Sequence, residues 1–506
     1  MRLDALISGF DGMSLKGEGS VDILGITCDS RDVGEGFLYV AIKGDAHDGR
    51  DFIGNAIKKG AKAVVAEEGS SGVPSSIAAV SVPGSRRALG ELASRFFGSP
   101  SERLKLTGIT GTNGKTTTAY LLENIISEAG MSPGVMGTVN YRYGGFVLPA
   151  PNTTPPAHEL QGLLARMVEA GTDHCVMEVS SHALDQERVA GCSFHTVVFT
   201  NLTRDHIDYH RSMEEYGRAK ERLFNRDESL YKRAVINTDD PFGKLLAEKS
   251  EDVITYGLKD AQIFPVDVSE DEDGMRGTVK TPEGTISLES PLIGSYNLYN
   301  IMAAIGAAVS LNIEKVAIEE GLRSFTRVPG RIERVNLPSS FKGFRVFVDY
   351  AHTPDALERV IKTVRPTTRG RLITIFGCGG DRDRDKRGLM GGIAVDGSDL
   401  TIITSDNPRS EEPLSIIGEI ETGARGAGAM EGEDYLIIAD RREAIMEAAR
   451  ISREGDTILV AGKGHEDYQI IGDMRTHFDD REEIEKAYAG LDPSLYRGEE
   501  KRRVRV

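Results

Sequence analysis

The segment Gly108-Ile-Thr-Gly-Thr-Asn-Gly-Lys-Thr-Thr117 puts glycines, a lysine and hydroxyl side chains where a strand meets a helix. The strand-like run Leu104-Lys-Leu-Thr precedes it. A helical stretch follows, with Ala119, Leu122, Ile125 and Ile126 on one face and Gly130 as its stop. In that setting glycines turn backbone N–H groups toward an anion at the helix N-terminus, Lys115 adds charge, and Thr116 can ligate Mg²⁺. Gly111, Thr112, Asn113, Gly114, Lys115, Thr116 and Thr117 are therefore the expected ATP-binding residues. The strict phosphate-loop pattern has Gly where this chain has Ile109, so the match is to a variant loop. The competing reading, a Gly-rich turn without a ligand, does not account for the strand-loop-helix setting.

Two further groups follow strand ends, where open α/β sheets place ligands. Glu178 ends Val176-Met-Glu-Val-Ser-Ser181, and His206 ends Asn201-Leu-Thr-Arg-Asp-His206. A carboxylate and an imidazole there could share Mg²⁺ with the nucleotide, as phosphoryl transfer requires. Each residue alone is more often a structural polar group, and histidine is an unusual magnesium ligand. The pattern gains its weight as a cluster.

The elements that must position these groups divide the 506 residues into about three units. Residues 1–99 read as a small α/β unit, with strands at Val21-Asp-Ile-Leu, Phe37-Leu-Tyr-Val-Ala-Ile and Ala61-Lys-Ala-Val-Val-Ala. A helix from Arg86 to Phe97 ends at Gly98-Ser99-Pro100. Residues 100–327 alternate strands (Cys175-Val-Met-Glu-Val, Val197-Val-Phe-Thr, Ala234-Val-Ile-Asn) with helices, which implies a mostly parallel sheet. Phe264 to Ser290 reads as an inserted hairpin with the acidic turn Ser269–Gly274. That turn lacks calcium-loop spacing and reads as solvated. Residues 328–506 carry strands at Arg345-Val-Phe-Val, Leu372-Ile-Thr-Ile-Phe, Leu400-Thr-Ile-Ile-Thr, Tyr435-Leu-Ile-Ile and Thr457-Ile-Leu-Val-Ala, a doubly wound, Rossmann-like pattern. The short basic tail ending Lys501-Arg-Arg-Val-Arg-Val506 reads as a solvated end.

Composition is that of an ordinary globular chain, 39% hydrophobic and 27% charged, with a formal net charge of −17. The acidic balance argues against nucleic-acid or anionic-membrane partners but allows a small anionic substrate held by local Arg and Lys. Cys28, Cys175, Cys192 and Cys378 show no CxxC spacing, so free thiols in a reducing compartment are expected. No signal-peptide core or membrane span is evident, and a cytoplasmic location is expected.

Gly-Thr-Asn-Gly-Lys-Thr-Thr, Glu-Val-Ser-Ser-His, Asn-Leu-Thr-Arg-Asp-His, Asn237-Thr-Asp-Asp240 and Asp349-Tyr-Ala-His352 occur in the order seen in the Mur ligases of peptidoglycan synthesis, which the chain resembles over nearly its whole length. The resemblance implies three α/β domains: a UDP-binding domain, a central P-loop ATPase domain and a Rossmann-like domain that chooses the amino acid. It implies a monomeric, cytoplasmic, Mg²⁺- and ATP-dependent ligase that forms an amide bond through an acyl phosphate.

Residue by residue, the resemblance points Ser30, Asp45, Ala46 and His47 at the uridine nucleotide. Asn152, Thr153, Thr154, Ser180, Gln186 and Arg188 point at a UDP-muramoyl dipeptide. Lys220 matches a lysine carbamylated in the family, a modification that would turn an ammonium into a carboxylate-like Mg²⁺ support. On sequence alone Lys220 is a surface helix residue. Asn297, Asn300, Asp349 and His352 match positions around ATP, with Arg331 reaching its phosphates from the third domain. Asn297 and Asn300, three apart, also fit a helix-capping role, as does Asn152-Thr-Thr-Pro155. Asp406, Asn407, Pro408 and Arg409 resemble the signature for meso-diaminopimelate, whose second carboxylate Arg409 and Arg382 could pair, with Gly462 and Glu466 holding an ammonium end. Thr116, Glu178, His206 and Lys220 form the implied metal set, and Lys115, Glu178, His206 and Lys220 the catalytic one.

The nearest alternative is the same ligation with L-lysine; a folylpolyglutamate-type ligase would not need the Ser30 and His47 loops. A P-loop switch that only hydrolyses ATP has no use for Arg382 and Asp406–Arg409. A non-catalytic UDP-sugar sensor would tolerate loss of Lys115 and Lys220.

Overall fold

A computed structural model describes residues 1–44, 47–67, 73–271, 274–341 and 343–493. Among them no helix is long and apolar enough to cross a membrane. The chain forms a three-domain α/β fold.

The first unit is a five-stranded sheet whose parallel strands Gly25–Thr27, Phe37–Val40, Ala63–Glu67 and Ala78–Val82 are flanked by the antiparallel Ser14–Lys16. The helix Ser85–Phe96 covers one face, burying Leu89, Leu92 and Ala93. The strand expected at Val21–Leu24 does not form; the sheet strand begins at Gly25. Val21 and Ile23 instead exchange backbone bonds with Leu3 and Met1, so the extended stretch pairs with the chain start.

The central sheet has eight strands. Its six parallel strands run Val253–Tyr256, Leu230–Asn237, Ser193–Phe199, Lys105–Thr110, His174–Glu178 and Pro133–Met136, followed by the antiparallel Asn140–Tyr143 and Phe146–Pro149. Separate apolar clusters cover its two faces, as a parallel sheet requires. Strand order does the positioning: Lys105–Thr110, which feeds the phosphate loop, lies between the strands leading to Glu178 and to Asn201–His206. The Phe264–Ser290 insertion is a four-stranded antiparallel sheet, more than the expected hairpin. It buries Met275, Val279, Ile286 and Leu288 in the core shared with the helix Ser295–Ser310. Part of the expected acidic turn, Glu272 and Asp273, lies outside the described residues.

The third sheet orders Glu333–Arg334 (antiparallel), Arg345–Asp349, Thr457–Ala461, Leu372–Phe376, Leu400–Ile403 and Tyr435–Ile437. All five expected strands are present. Their parallel direction brings Asp349, Gly377–Arg382, Asp406–Arg409 and Gly462–Glu466 to the same sheet end. The four cysteines are free thiols; Cys175, Cys192 and Cys378 are buried.

Candidate active site

The phosphate loop has the backbone its glycines permit. Gly111 (φ +146°) and Gly114 (φ +89°) occupy conformations L side chains rarely adopt. A Cβ on Gly114 would stand 2.3 Å from Asn300 Oδ1, and one on Gly111 1.9 Å from Thr200 Oγ1. Hydrogen bonds knit the loop to the Asn201 segment: Asn201 O accepts from Thr112 N at 2.8 Å, and Asn201 Oδ1 from Asn113 N at 3.0 Å. Lys115 Nζ donates to the Gly111 and Thr112 carbonyls at 2.8 and 2.9 Å. Burial lowers its pKa, with Arg331 adding to that and Glu178 and Asp205 opposing it.

Glu178 is buried at the mouth of the loop. Its carboxylate accepts from Thr116 Oγ1 (2.9 Å), Thr138 N (2.9 Å) and Thr138 Oγ1 (3.1 Å). Two hydroxyls and a carboxylate at a helix N-terminus are hard oxygen donors of the kind Mg²⁺ takes, so Thr116 and Glu178 fit that ion. Among the described residues no group of three or more His, Cys, Asp or Glu side chains could hold a metal. Any ion here would complete its coordination with hydroxyls, substrate oxygens and water.

Lys220 corrects the surface-helix reading. It is 1% exposed, with Nζ donating to Gly111 O at 3.0 Å and standing 4.4 Å from the Tyr216 ring centroid. Burial drives its pKa well below the usual lysine value; Lys115 adds to that shift and Asp205 opposes it. His206 has a left-handed backbone (φ +53°) ahead of the short helix Ile207–His210. Its ring packs 4.7 Å from His182 and 6.1 Å from Tyr216, and burial pushes its pKa down to about 4. At neutral pH it presents an uncharged nitrogen. No direct hydrogen bond joins Lys220 or His206 to Thr116 or Glu178 among the described residues; the four converge around Gly111 and Lys115. Asp205, which sequence reasoning passed over beside His206, lies 3.5 Å from His206 Nε2. Burial opposes its charge, but His206, His352 and Lys115 hold its pKa below the ordinary value.

A cavity of about 300 Å³ lies between the loop and the third unit. Asn113, Gly114, Thr116 and Thr117 line one side, Asn297 and Asn300 another, Arg331 and Asp349 a third. Asn297 and Asn300 lie inside the helix Ser295–Ser310 rather than capping it: Asn297 Nδ2 donates to Ile293 O at 2.7 Å, and Asn300 Nδ2 to Asn297 Oδ1 at 3.0 Å. Asp349 is tied down by Ile332 N (2.7 Å) and Ala351 N (2.8 Å). Arg331 Nη2 reaches Thr116 Oγ1 at 3.4 Å across the domain boundary.

His352 is not part of that wall. It lines a second cavity, of about 480 Å³, together with His206, Arg382, Asp406, Asn407, Arg409, Gly462 and Glu466. Arg409 has φ +53°, and its Nη1 donates to Gly380 O at 2.8 Å. Arg382 is exposed and donates to Asp381 O at 2.9 Å. Pro408, between Asn407 and Arg409, is buried in the turn and does not line the cavity. Behind its wall, between Gly462 and Glu466 in the chain, sits Lys463, to which sequence reasoning gave no role. It is fully buried, with Nζ 3.1 Å from Asn407 Oδ1, 3.5 Å from Asp406 Oδ1 and 4.0 Å from Glu466 Oε2. Burial raises the Glu466 pKa and Asp406 adds to the rise, while Lys463 works against it.

The remaining expected residues fall into two groups. Thr153, Thr154, Ser180, Gln186 and Arg188 meet beside Glu178. Thr154 Oγ1 donates to Glu178 O (2.8 Å) and accepts from Ser180 N (3.1 Å). Arg188 donates to Thr154 O (2.9 Å) and Gln186 Oε1 (2.8 Å), and Thr153 Oγ1 lies 3.1 Å from Thr138 Oγ1. The Thr154 hydroxyl thus serves strand-to-loop packing, and the following helix has no side-chain cap. Asn152 is exposed next to this group, with its carbonyl bonded to Tyr141. Ser30 and His47 lie in the first unit, outside both cavities; Asp45 and Ala46 are outside the described residues. The turn bearing Ser30 approaches the central unit, with Cys28 Sγ 3.9 Å from His158 Nδ1.

Three family models match the chain: Mur ligase family, catalytic domain, over residues 22–97; Mur ligase middle domain, over 109–308; and Mur ligase, glutamate ligase domain, over 330–464. The chain is 48% identical to a Geobacter metallireducens protein named UDP-N-acetylmuramoyl-L-alanyl-D-glutamate–2,6-diaminopimelate ligase, covering 97% of this chain and 99% of that one. A Gloeobacter violaceus protein of the same name is 46% identical over 96% and 98% of the two chains. A solved structure bearing that name superposes with a TM-score of 0.68 at 33% identity, covering 97% of this chain and 99% of that one. A Thermotoga maritima MurF ligase in complex with ADP shares the fold alone, with a TM-score of 0.60 at 19% identity over 92% and 96%. With full-length relatives at this identity and all three family models in register with its sheets, the chain belongs to the Mur ligase family.

Proposed function

We infer that the chain is an ATP-dependent ligase that adds meso-2,6-diaminopimelate to UDP-N-acetylmuramoyl-L-alanyl-D-glutamate in peptidoglycan precursor synthesis. The observation that carries the reading is a phosphate-loop cavity lined by Thr116 and Arg331 together with an Arg- and carboxylate-lined cavity that includes His206, with Lys220 bonded to the Gly111 carbonyl of the loop and Glu178 to Thr116. In this reading the nucleotide occupies the first cavity, with Asn297, Asn300 and Asp349 around base and ribose and Lys115, Arg331 and the loop N–H groups on the phosphates. Thr116 and Glu178 would hold Mg²⁺, with His206 and a carbamylated Lys220 supporting a second position. Bound there, Mg²⁺ would offset negative charge on the phosphate oxygens. Carbamylation uses the uncharged amine, and burial shifts Lys220 toward that form, which supports its assignment.

The D-glutamyl side-chain carboxylate, steered by Asn152, Thr153, Thr154, Ser180, Gln186 and Arg188, attacks the γ-phosphorus, and the bond to ADP breaks. The uncharged amine of diaminopimelate then attacks the acyl carbon; the bond to phosphate breaks and the nitrogen loses a proton. Positioning and electrostatics supply most of the rate. Ser30 and the Asp45–His47 loop take the uridine nucleotide. In the second cavity the charges suit the amino acid: Arg382 and Arg409 offer two cations for two carboxylates. Asp406, Glu466 and Lys463 sum to one negative charge for the ammonium end. L-Lysine lacks the second carboxylate and would leave one arginine unpaired. We assign the protein to the cytoplasm, as a monomer.

The test is direct. Purified protein receives ATP, Mg²⁺ and the UDP-muramoyl dipeptide with either diaminopimelate or lysine, and the product mass is read. A diaminopimelate adduct formed in clear preference to the lysine adduct is expected. ATP turnover without the dipeptide, or a lysine adduct alone, would overturn the assignment.

A further inference from the structure

Arg441 and Asp480 form an ion pair behind the amino-acid cavity, outside the residues that line it. Arg441 starts the helix Arg441–Ile451 and Asp480 the helix Asp480–Ala489, and neither side chain reaches solvent. Arg441 Nε and Nη2 donate to the two Asp480 oxygens, at 2.7 Å each. The guanidinium also reaches backbone: Nη2 donates to Ala461 O at 3.0 Å and Nη1 to Ser405 O at 3.4 Å. Each carbonyl stands one residue before a stretch that lines the cavity, Gly462–Glu466 after Ala461 and Asp406–Arg409 after Ser405. The strands that deliver them, Thr457–Ala461 and Leu400–Ile403, are not neighbours. Leu372–Phe376 lies between them, so no ladder bond sets their separation, and Arg441 spans the gap. Tolerance on the cavity side is small: a Cβ on Gly462 would stand 2.7 Å from Asp406 Oδ2, and Asn407 Nδ2 donates to Glu466 Oε2 at 2.9 Å. Stability alone does not call for this pair, because well-packed apolar side chains of similar volume hold a core as well as a buried ion pair or better. They could not hydrogen-bond two carbonyls and a carboxylate at once. A lysine, with its three donors on one nitrogen, could not span all three either.

We propose that Arg441 is a positioning residue for the amino-acid cavity: held by Asp480, it fixes the spacing of the Asp406–Arg409 and Gly462–Glu466 stretches and so the fit of the amino acid between them. It touches no lining position of the nucleotide cavity, so its effect falls on the amino acid alone. The identity of that amino acid rests on the reading above; the clamp between the two stretches does not.

KM for ATP, for the UDP-muramoyl dipeptide and for diaminopimelate is measured in full-length wild type, in Arg441→Lys and in the double variant Arg441→Met with Asp480→Leu, each checked by thermal melting. The double variant removes both charges together and leaves neither buried alone. KM for diaminopimelate should rise about tenfold in the double variant and about threefold or more in Arg441→Lys, as loss of charge-assisted bonds to the backbone implies. KM for ATP and for the dipeptide should stay at the wild-type values. A pair that serves stability alone would lower the melting temperature and the active fraction and move no KM. An unchanged KM for diaminopimelate in either folded variant, an equal rise in all three KM values, or loss of folding in both variants overturns the proposal. A wild type that joins a different amino acid would sink the substrate reading instead, and the same comparison run with that amino acid would still decide the clamp.

Discussion

Replacing Lys463 with Met tests the charge logic of the amino-acid cavity. The ammonium is fully buried and is the cation nearest both Asp406, at 3.5 Å, and Glu466, at 4.0 Å. Removing one partner from a dry ion pair costs about 3–5 kcal/mol. The Glu466 side chain keeps 16% exposure and its separation is long, which places this case near the lower end, at about 3 kcal/mol. The variant should relieve part of that cost by taking a proton onto Glu466, whose pKa is already raised by burial and by Asp406 and is held down by Lys463. The sign follows. An ammonium needs the ionised carboxylate, so diaminopimelate binds well above the Glu466 pKa and its KM climbs as pH falls through it. In Lys463→Met the climb begins at higher pH, and at neutral pH KM rises about 10- to 100-fold, since 1.4 kcal/mol is a factor of ten. The assay measures KM for diaminopimelate against pH at saturating ATP and dipeptide, with circular dichroism confirming folding and Lys463→Arg retaining the charge. A folded Met variant whose KM and pH midpoint match wild type within twofold would refute the argument.

Gly114→Ala should abolish ADP binding measured by calorimetry, because the new Cβ meets Asn300 Oδ1 at 2.3 Å on a backbone with φ +89°; retained affinity would show that the loop relaxes. Lys220→Met should lose ligation while keeping ADP affinity, and bicarbonate should raise wild-type activity alone. Mass mapping should find CO₂ on the Lys220 peptide. Arg409→Ala should raise KM for diaminopimelate by about 10- to 100-fold, as loss of a charge-assisted pair implies, and leave lysine use unchanged. His174 is buried with neither ring nitrogen hydrogen-bonded among the described residues, and burial pushes its pKa down to about 4 from 6.5. The unfolded chain therefore binds the proton more tightly, so stability falls as pH drops from 6.5 toward 4. His174→Leu should flatten that slope in urea titrations; an unchanged slope would assign it to other histidines.

By itself the sequence determined the features written in contiguous residues. The phosphate loop needs a strand, glycines at set places and a helix, all within a dozen or so positions, and Gly111 and Gly114 adopt the backbone their type allows. The five strands of the third unit were legible because each is a continuous apolar run between helices. Short or irregular strands such as Pro133–Met136 carry too little apolar pattern to stand out, and Val21–Leu24 is as extended as a strand but pairs with the chain start. Tertiary structure alone decided the groupings that depend on strand order. Lys105–Thr110 lies between His174–Glu178 and Ser193–Phe199, two strands remote from it in sequence, which is what brings Glu178 and His206 to one loop. The separation of Asn297, Asn300 and Asp349 from His352 into different cavities is likewise invisible along the chain. Lys220 and Lys463 show the difference most plainly. A lysine in a sequence reads as a solvated surface charge, because burial depends on what packs over it from elsewhere. Only in the fold does one become a dry amine beside the phosphate loop and the other the cation on which two carboxylates depend.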